Sequence, residues 1–117
     1  MKKLMLILIL AGFLSCEQTN IYSKVSACGV DEPQKNLPWL VELIQKAQSD
    51  KTGNYLGEIW LEKYEGNDIF VTNMAMGSGG IAYYFFDCQG KSFEPTNINQ
   101  FVAQMKLNTI IYSNIKK

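Results

Sequence analysis

The chain of 117 residues contains no histidine and no arginine. Without histidine it has no side chain that normally titrates near neutral pH and no imidazole ligand for a metal. Without arginine it has no planar group that could bind a carboxylate or phosphate through two parallel hydrogen bonds. These absences exclude Ser-His-Asp and Cys-His nucleophilic sites and most zinc enzymes. We therefore expect a protein that is not an enzyme, with no catalytic residue, no metal site and no cofactor.

The chain also lacks a charge excess of either sign, because its 11 lysines balance 11 acidic residues. Binding to nucleic acid depends on basic clusters that neutralise phosphates, so we expect no nucleic-acid partner. A neutral surface is equally unsuited to adhesion to an anionic membrane by charge. Any attachment to a membrane would then need a lipid.

No run of apolar residues is long enough to cross a membrane, which takes about 20 residues. The N-terminal run covers only residues 4–14; Lys2 and Lys3 precede it, and Ser15, Cys16 and a polar segment follow it. This order predicts an export signal over residues 1–15. It resembles the signal of bacterial lipoproteins, which implies that Cys16 becomes the N-terminus and carries fatty acids such as palmitate. The protein would then be membrane-anchored in the bacterial cell envelope, periplasmic or surface-exposed; an ordinary secreted protein and an uncleaved anchor are the alternatives.

Three cysteines are an odd number for an exported chain. Assigning Cys16 to the lipid leaves Cys28 and Cys88, which we expect to form a disulfide in an oxidising compartment. Two free thiols, one of them buried, are the alternative.

The pattern of apolar residues predicts one α+β domain over residues 28–117, preceded by a tether over 16–27. In the alternative interpretation of the tether, Ile21, Tyr22 and Val25 pack as an edge segment. Helical spacing and turn signals give the order α-β-β-β-α-β. The predicted elements are a helix capped by Asn36, strands over 55–64, 69–74 and 81–86, a helix over 98–107 capped by Asn97, and a strand over 109–115. We expect a mainly antiparallel four-stranded sheet with the helices packed on one face and 81–86 in its centre.

The strand over 55–64 carries the candidate binding face. Alternation places Trp60 and Tyr64 on the same side as Glu58 and Glu62. Because buried carboxylates need partners, we expect this face to be partly wet and Trp60 to be half exposed, available to a protein or glycan partner. The alternative is that the aromatic rings belong to the core. Glu58 and Glu62 are about 13 Å apart along a strand, too far for a glycosidase pair, which needs roughly 5–9.5 Å.

Several short motifs are similar to those of small uncharacterised lipoproteins of the Bacteroidota. The shared features are the lysine-started signal ending in Ser15-Cys16, Leu37-Pro38-Trp39-Leu40 before Glu42-Leu43-Ile44, Tyr64-Glu65-Gly66, and the Asp87 to Gly90 turn after an aromatic strand. The likeness covers most of the mature chain. It implies an envelope location and brings no catalytic residues with it.

The sequence thus favours a lipid-anchored envelope protein with a non-catalytic binding or assembly role. One alternative is an inhibitor or immunity-like protein that acts on an exported enzyme. Another is a structural accessory subunit of an envelope complex, and a third is a small envelope enzyme that uses carboxylate or lysine chemistry.

Overall fold

The structure, a computed structural model, describes residues 24–77 and 83–115. The predicted export signal, Cys16, Ile21 and Tyr22 lie outside the described residues. None of the helices within them is long and apolar enough to cross a membrane.

The described residues form an α+β fold of seven strands and three helices. In chain order these are β1 (Ser26–Ala27), β2 (Val30–Asp31), α1 (Pro33–Asn36), α2 (Pro38–Ser49), β3 (Glu58–Tyr64), β4 (Asn67–Thr72), β5 (Tyr84–Phe86), β6 (Ser92–Phe93), α3 (Ile98–Gln104) and β7 (Ile110–Ser113). β1 and β2 form a separate antiparallel pair. The main sheet is antiparallel and has the order β6-β5-β4-β3-β7.

The predicted sheet of four strands is therefore wrong by one strand. The extra strand is β6, which forms because the Asp87–Gly90 turn sends the chain back along β5. β4 is the central strand, so the segment 81–86 does not have the central place expected for it.

The β3–β4 hairpin sets the register of the sheet. Its two turn residues, Glu65 and Gly66, have φ of 52° and 82°. Positive φ at both positions is the requirement of a type I′ turn, whose twist matches that of the flanking strands. Tyr64 therefore pairs with Asn67, and pairing continues to Ile59 opposite Thr72.

The sheet is covered on both faces, contrary to the expectation that the helices would pack on one. On the first face α2 packs Leu40, Ile44 and Ala47 into a cluster with sheet residues that include Ile59 and Phe70. On the second face α3 takes part in another cluster. Its sheet residues are Trp60, Ile69, Val71 and Phe85, and its helix residues are Ile98, Phe101 and Val102.

The reason lies in β4, where Ile69, Phe70 and Val71 are consecutive and all buried. Successive strand residues point to opposite faces. Both faces of β4 are therefore apolar, and each needs a helix to exclude water.

Neither predicted helix cap makes a capping hydrogen bond. The N-cap of α2 is Leu37, and Pro38 occupies the first turn, where a missing N–H costs little. Asn36 instead ends α1, and its amide donates to the Asp31 carbonyl at 2.6 Å. α3 does begin after Asn97, but Asn97 adopts a left-handed conformation with φ of 56° and no side-chain cap.

The predicted disulfide is confirmed: Cys28 and Cys88 are bonded, with their Cα atoms 5.6 Å apart. It joins the β1–β2 turn to the segment after β5. Trp39 reinforces this corner, because its indole N–H donates to the Cys88 carbonyl at 2.8 Å. β1 occupies the last residues of the segment predicted as a tether, with Ala27 buried and Val25 packed against the core.

We expect the Cys28→Ala, Cys88→Ala double variant to lose about 4 kcal/mol of unfolding free energy in the loop-entropy account. The bridge spans 60 residues, and its removal returns that conformational freedom to the unfolded chain. Urea unfolding of the protein with and without reductant measures the loss. The reduced wild type should match the double variant, and coinciding midpoints for all samples would contradict the expectation.

Candidate functional site

Trp60 lies in the core of the second face, so the expected half-exposure is wrong. Only 6% of its surface is accessible. Its ring meets Tyr83 edge-on at 6.4 Å, and it belongs to the cluster that α3 helps to form. Its charged neighbours Glu58 and Glu62, which led us to expect a solvent-exposed face, are hydrogen-bonded to other parts of the protein.

Those neighbours, Glu58 and Glu62, accept hydrogen bonds from the protein itself. Glu58 Oε2 accepts one from the Ser113 hydroxyl of β7 at 2.9 Å. Glu62 Oε2 accepts one from the main-chain N–H of Leu107 at 2.8 Å. Leu107 has φ of 50°, a conformation that non-glycine residues rarely adopt, and the bond to Glu62 helps to hold it there. The two carboxylates therefore connect β3 to β7 and to the segment after α3 through hydrogen bonds.

Tyr64 has a similar fastening role at the end of β3. Its ring lies 5.1 Å from Phe101 and 5.6 Å from Phe93, measured between centroids. Its hydroxyl oxygen accepts the N–H of Thr96 at 2.9 Å. Trp60 and Tyr64 thus lie in the same cluster on the second face. The segments before and after α3 cover this part of β3.

The surface that stays open along β3 is its outer edge. β7 pairs only with Glu58, Ile59 and Trp60, after which the Leu61 N–H donates to the Thr109 carbonyl at 3.0 Å. Beyond this point a groove of about 410 Å³ runs beside the strand. We call it the edge groove; it is lined by Leu61, Glu62, Lys63, Asp68, Phe101, Gln104, Met105, Lys106, Asn108 and Thr109.

Asp68 forms one wall of the edge groove and connects it to the disulfide corner. Its Oδ1 forms an ion pair with Lys63 Nζ at 2.8 Å, and its Oδ2 accepts the main-chain N–H of Cys28 at 2.9 Å. The hydrogen bond from Lys63, followed by that from Cys28, lowers the pKa of Asp68 below its ordinary value of 3.8. Asp68 is therefore ionised at neutral pH and joins the β1–β2 turn to the sheet.

Three further grooves lie elsewhere on the described surface. One of about 460 Å³ is bordered by Tyr64, Asp87 and Phe93, one of about 500 Å³ by Tyr83, Tyr84 and Glu94, and one of about 310 Å³ by Tyr64 and Gln100. Among residues 24–77 and 83–115, no group of three acidic or cysteine side chains could hold a metal ion. The edge groove differs from the others in combining a strand edge, an apolar base and lysine side chains.

The sequence did contain a signal for the edge groove. The predicted strand over 55–64 is longer than the predicted strand over 109–115. When the shorter strand pairs with the longer one, part of the edge of the longer strand stays uncovered. Lys63, Lys106 and Asn108 were not recognised because their proximity depends on the path of the chain after α3. Comparison of the chain with protein-family models, curated proteins and solved structures gives no match.

Trp60→Ala should lower the unfolding free energy by about 3–5 kcal/mol, the usual cost of removing a large buried ring. Leu56→Ala is the matched control, because Leu56 is 57% exposed and its truncation should cost less than about 0.5 kcal/mol. Chemical denaturation of both variants measures the two losses. Equal losses would mean that Trp60 is not part of the core.

Asp68→Asn should lower stability at neutral pH by about 1 kcal/mol, since the ion pair is lost while the amide can still accept the Cys28 N–H. A carboxylate whose pKa is depressed by folding stabilises the native state above its unfolded pKa, near 3.9. That contribution disappears as the pH falls through the lower folded value. The difference between wild type and variant should thus be constant above about pH 5 and vanish in stronger acid. Denaturation midpoints across this range test it, and a difference that does not shrink as the pH falls below 3.9 would contradict the assignment.

Proposed function

We propose that this chain is a lipid-anchored protein of the bacterial cell envelope with a non-catalytic binding or assembly role. The observation that carries the proposal is the Ser15-Cys16 junction at the end of a short, lysine-started apolar segment. Lipid at Cys16 fixes the protein to a membrane without a transmembrane helix.

The disulfide supports this assignment through the cysteine count. Cys28 and Cys88 are bonded to each other, so Cys16 is the remaining cysteine of the three. Structural disulfides persist in oxidising compartments such as the periplasm and the cell surface. A cysteine that is lipidated needs no thiol partner, which explains the odd count.

Chain length supports a domain that reaches partners away from the lipid surface. Cys16 is nine residues before Val25, the first described residue that packs on the core, and nine residues span at most about 30 Å when fully extended. The domain can therefore be held close to the membrane or well above it. Either distance suits a protein that binds another component of the envelope.

The chemistry of the candidate site supports binding in preference to catalysis. Glu58 and Glu62 each accept a hydrogen bond from a neighbouring segment, and Asp68 is paired with Lys63. Carboxylates that hold the fold together are poorly suited to act as general acids or bases. The edge groove, in contrast, offers main-chain and side-chain groups at a strand edge, a common arrangement for recognition of a partner.

Cys16→Ser should abolish lipid incorporation and release the protein from membranes, because serine offers no thiol for acylation. Metabolic labelling with a palmitate analogue and membrane fractionation measure the two effects. Cys88→Ser, which removes the disulfide alone, should still incorporate lipid. Labelled fatty acid on the Cys16→Ser protein, or an intact Met1 on the mature wild type, would refute the anchor.

A further inference from the structure

The two large apolar side chains that the described residues leave most exposed lie next to each other. Leu56 is 57% exposed and Ile115 is 38% exposed. β3 and β7 pair Glu58 with Ser113, and the same register continued by two residues places Leu56 opposite Ile115. Residues opposite each other on antiparallel strands have Cβ atoms about 5 Å apart. We call these two residues the exposed apolar pair.

Hydrogen bonds hold the exposed apolar pair in place. The Asn114 side chain accepts the Gly57 N–H at 2.8 Å and donates to the Tyr55 carbonyl at 2.9 Å. The Asn114 N–H donates to the Gly57 carbonyl at 3.2 Å. Asn114 therefore holds the residues on both sides of Leu56, and Ile115 follows Asn114 directly. The pair is presented to solvent from a fixed backbone, although it belongs to neither core cluster.

The segments that carry the pair are positively charged. Residues 46–58, from the end of α2 to the start of β3, and residues 110–117, which are β7 and the residues after it, contain four lysines and two acidic residues. Their net charge is +2, whereas the mature chain from Cys16 has nine lysines, eleven acidic residues and a net charge of −2. Asn73, which accepts the Glu58 N–H beside them, lies in an uncharged stretch over residues 69–86. The lysines are Lys46, Lys51, Lys116 and Lys117, and the acidic residues are Asp50 and Glu58.

This combination favours a lipid surface over a protein partner. Protein interfaces take about 20–30 residues from each side and are depleted in lysine. Apolar side chains surrounded by lysine are instead typical of segments that lie in a membrane interface. One of the lysines is beside the pair, because Lys46 Nζ lies 6.0 Å from the centre of the ring of Tyr55, the residue before Leu56.

The tether is long enough for this end of the domain to reach the membrane. The disulfide corner lies at the other end of the sheet, where Asp68 pairs with Lys63. Lys63 is seven residues after Leu56, which corresponds to about 23 Å along a strand. The nine residues from Cys16 to Val25 span at most about 30 Å. A domain that stands with the exposed apolar pair on the bilayer therefore keeps Val25 within reach of the lipid.

We propose that the exposed apolar pair is a second membrane contact, which enters the surface of a bilayer that contains anionic lipids. Leu56 and Ile115 enter the boundary between headgroups and acyl chains, and the neighbouring lysines pair with anionic headgroups. Lipid at Cys16 keeps the pair at a high effective concentration near the bilayer, so a small patch is sufficient. This proposal rests on the proposed lipid anchor and specifies how the domain is oriented on its membrane.

The test uses the mature lipidated protein in nanodiscs of phosphatidylcholine, with or without phosphatidylglycerol. Methyl NMR measures how strongly a spin-labelled lipid broadens each signal. The Ala103 methyl is the internal reference, because Ala103 is exposed on α3, on the second face of the sheet. With phosphatidylglycerol we expect broadening at Leu56 and Ile115 to be at least fivefold that at Ala103. Without it, the broadening at the pair should fall at least threefold.

A double variant, Lys46→Gln with Lys51→Gln, cancels the net charge of the two segments. It should reduce the broadening at Ile115 at least threefold, as removal of phosphatidylglycerol does. Lys35→Gln with Lys91→Gln is the matched control, because it removes the same charge from exposed lysines outside these segments. It should behave like wild type. Leu56→Ser, at an exposed position, should also weaken the broadening at Ile115.

Equal broadening at Leu56, Ile115 and Ala103 would overturn the proposal. Broadening that is the same with and without phosphatidylglycerol, or that is retained in full by the Lys46→Gln, Lys51→Gln protein, would overturn it as well. Shifts of the Leu56 and Ile115 signals that grow with protein concentration in nanodiscs without spin label would assign the pair to a second copy of the chain instead.

Failure of the membrane contact and failure of the anchor are distinguishable in the same samples. Mass spectrometry shows whether Cys16 carries acyl chains. Acylated protein without selective broadening refutes the contact alone. Mature protein without acyl chains refutes the anchor and, with it, the contact that depends on the anchor.

Discussion

The rest of the fold depends on the burial of both faces of β4. Phe70 requires the cover of α2, while Ile69 and Val71 require that of α3, so the chain must place helices on opposite sides of a thin sheet. Thr72 ends the buried stretch without an unpaired polar atom, because its hydroxyl donates to the Glu58 carbonyl at 2.7 Å. α2, which precedes β3, covers one face of β4, and α3, which follows β6, covers the other.

Because the chain has no histidine and no arginine, its carboxylates need other hydrogen-bond donors. Its partly buried carboxylates are held by main-chain N–H groups and small hydroxyls: Glu58 by Ser113, Glu62 by Leu107 and Asp68 by Cys28. Each bond joins β3 or β4 to a segment distant in sequence. In the sequence these acidic residues look like the solvent-exposed side of a strand. In the structure they accept hydrogen bonds that connect the sheet to other segments of the chain.

Elements with strong local signals were predictable from the sequence. α2 follows from its apolar spacing and Pro38, and the β3–β4 turn follows from Glu65-Gly66 between two strand-like runs. β1, β2 and β6 were missed because strands of two residues have no periodicity and form only where a partner strand is already in place. They depend on the disulfide corner and on the Asp87–Gly90 turn.

The candidate site was predictable only in part. Trp60 and Tyr64, which alternation puts on one side of β3, do lie in one cluster, but alternation contains no information on what covers that side. The cover comes from α3, whose packing depends on contacts among residues 83–107 and not on β3 alone. The open part of β3 likewise depends on where β7 begins, which is a tertiary property.

The Cys28–Cys88 bridge also determines how the domain transmits mechanical tension. When the chain is pulled between its N-terminal segment and a point after residue 88, the force passes from Cys28 to Cys88 through the two sulfur atoms. The backbone of residues 29–87 is then not stretched. That loop contains β3, β4 and α2, and about 200 Å of extended chain cannot be drawn out of it while the bridge is intact. A domain tethered in this way to a moving membrane would lengthen only through the segments outside the loop, and most of its sheet would carry no stretching force along the backbone.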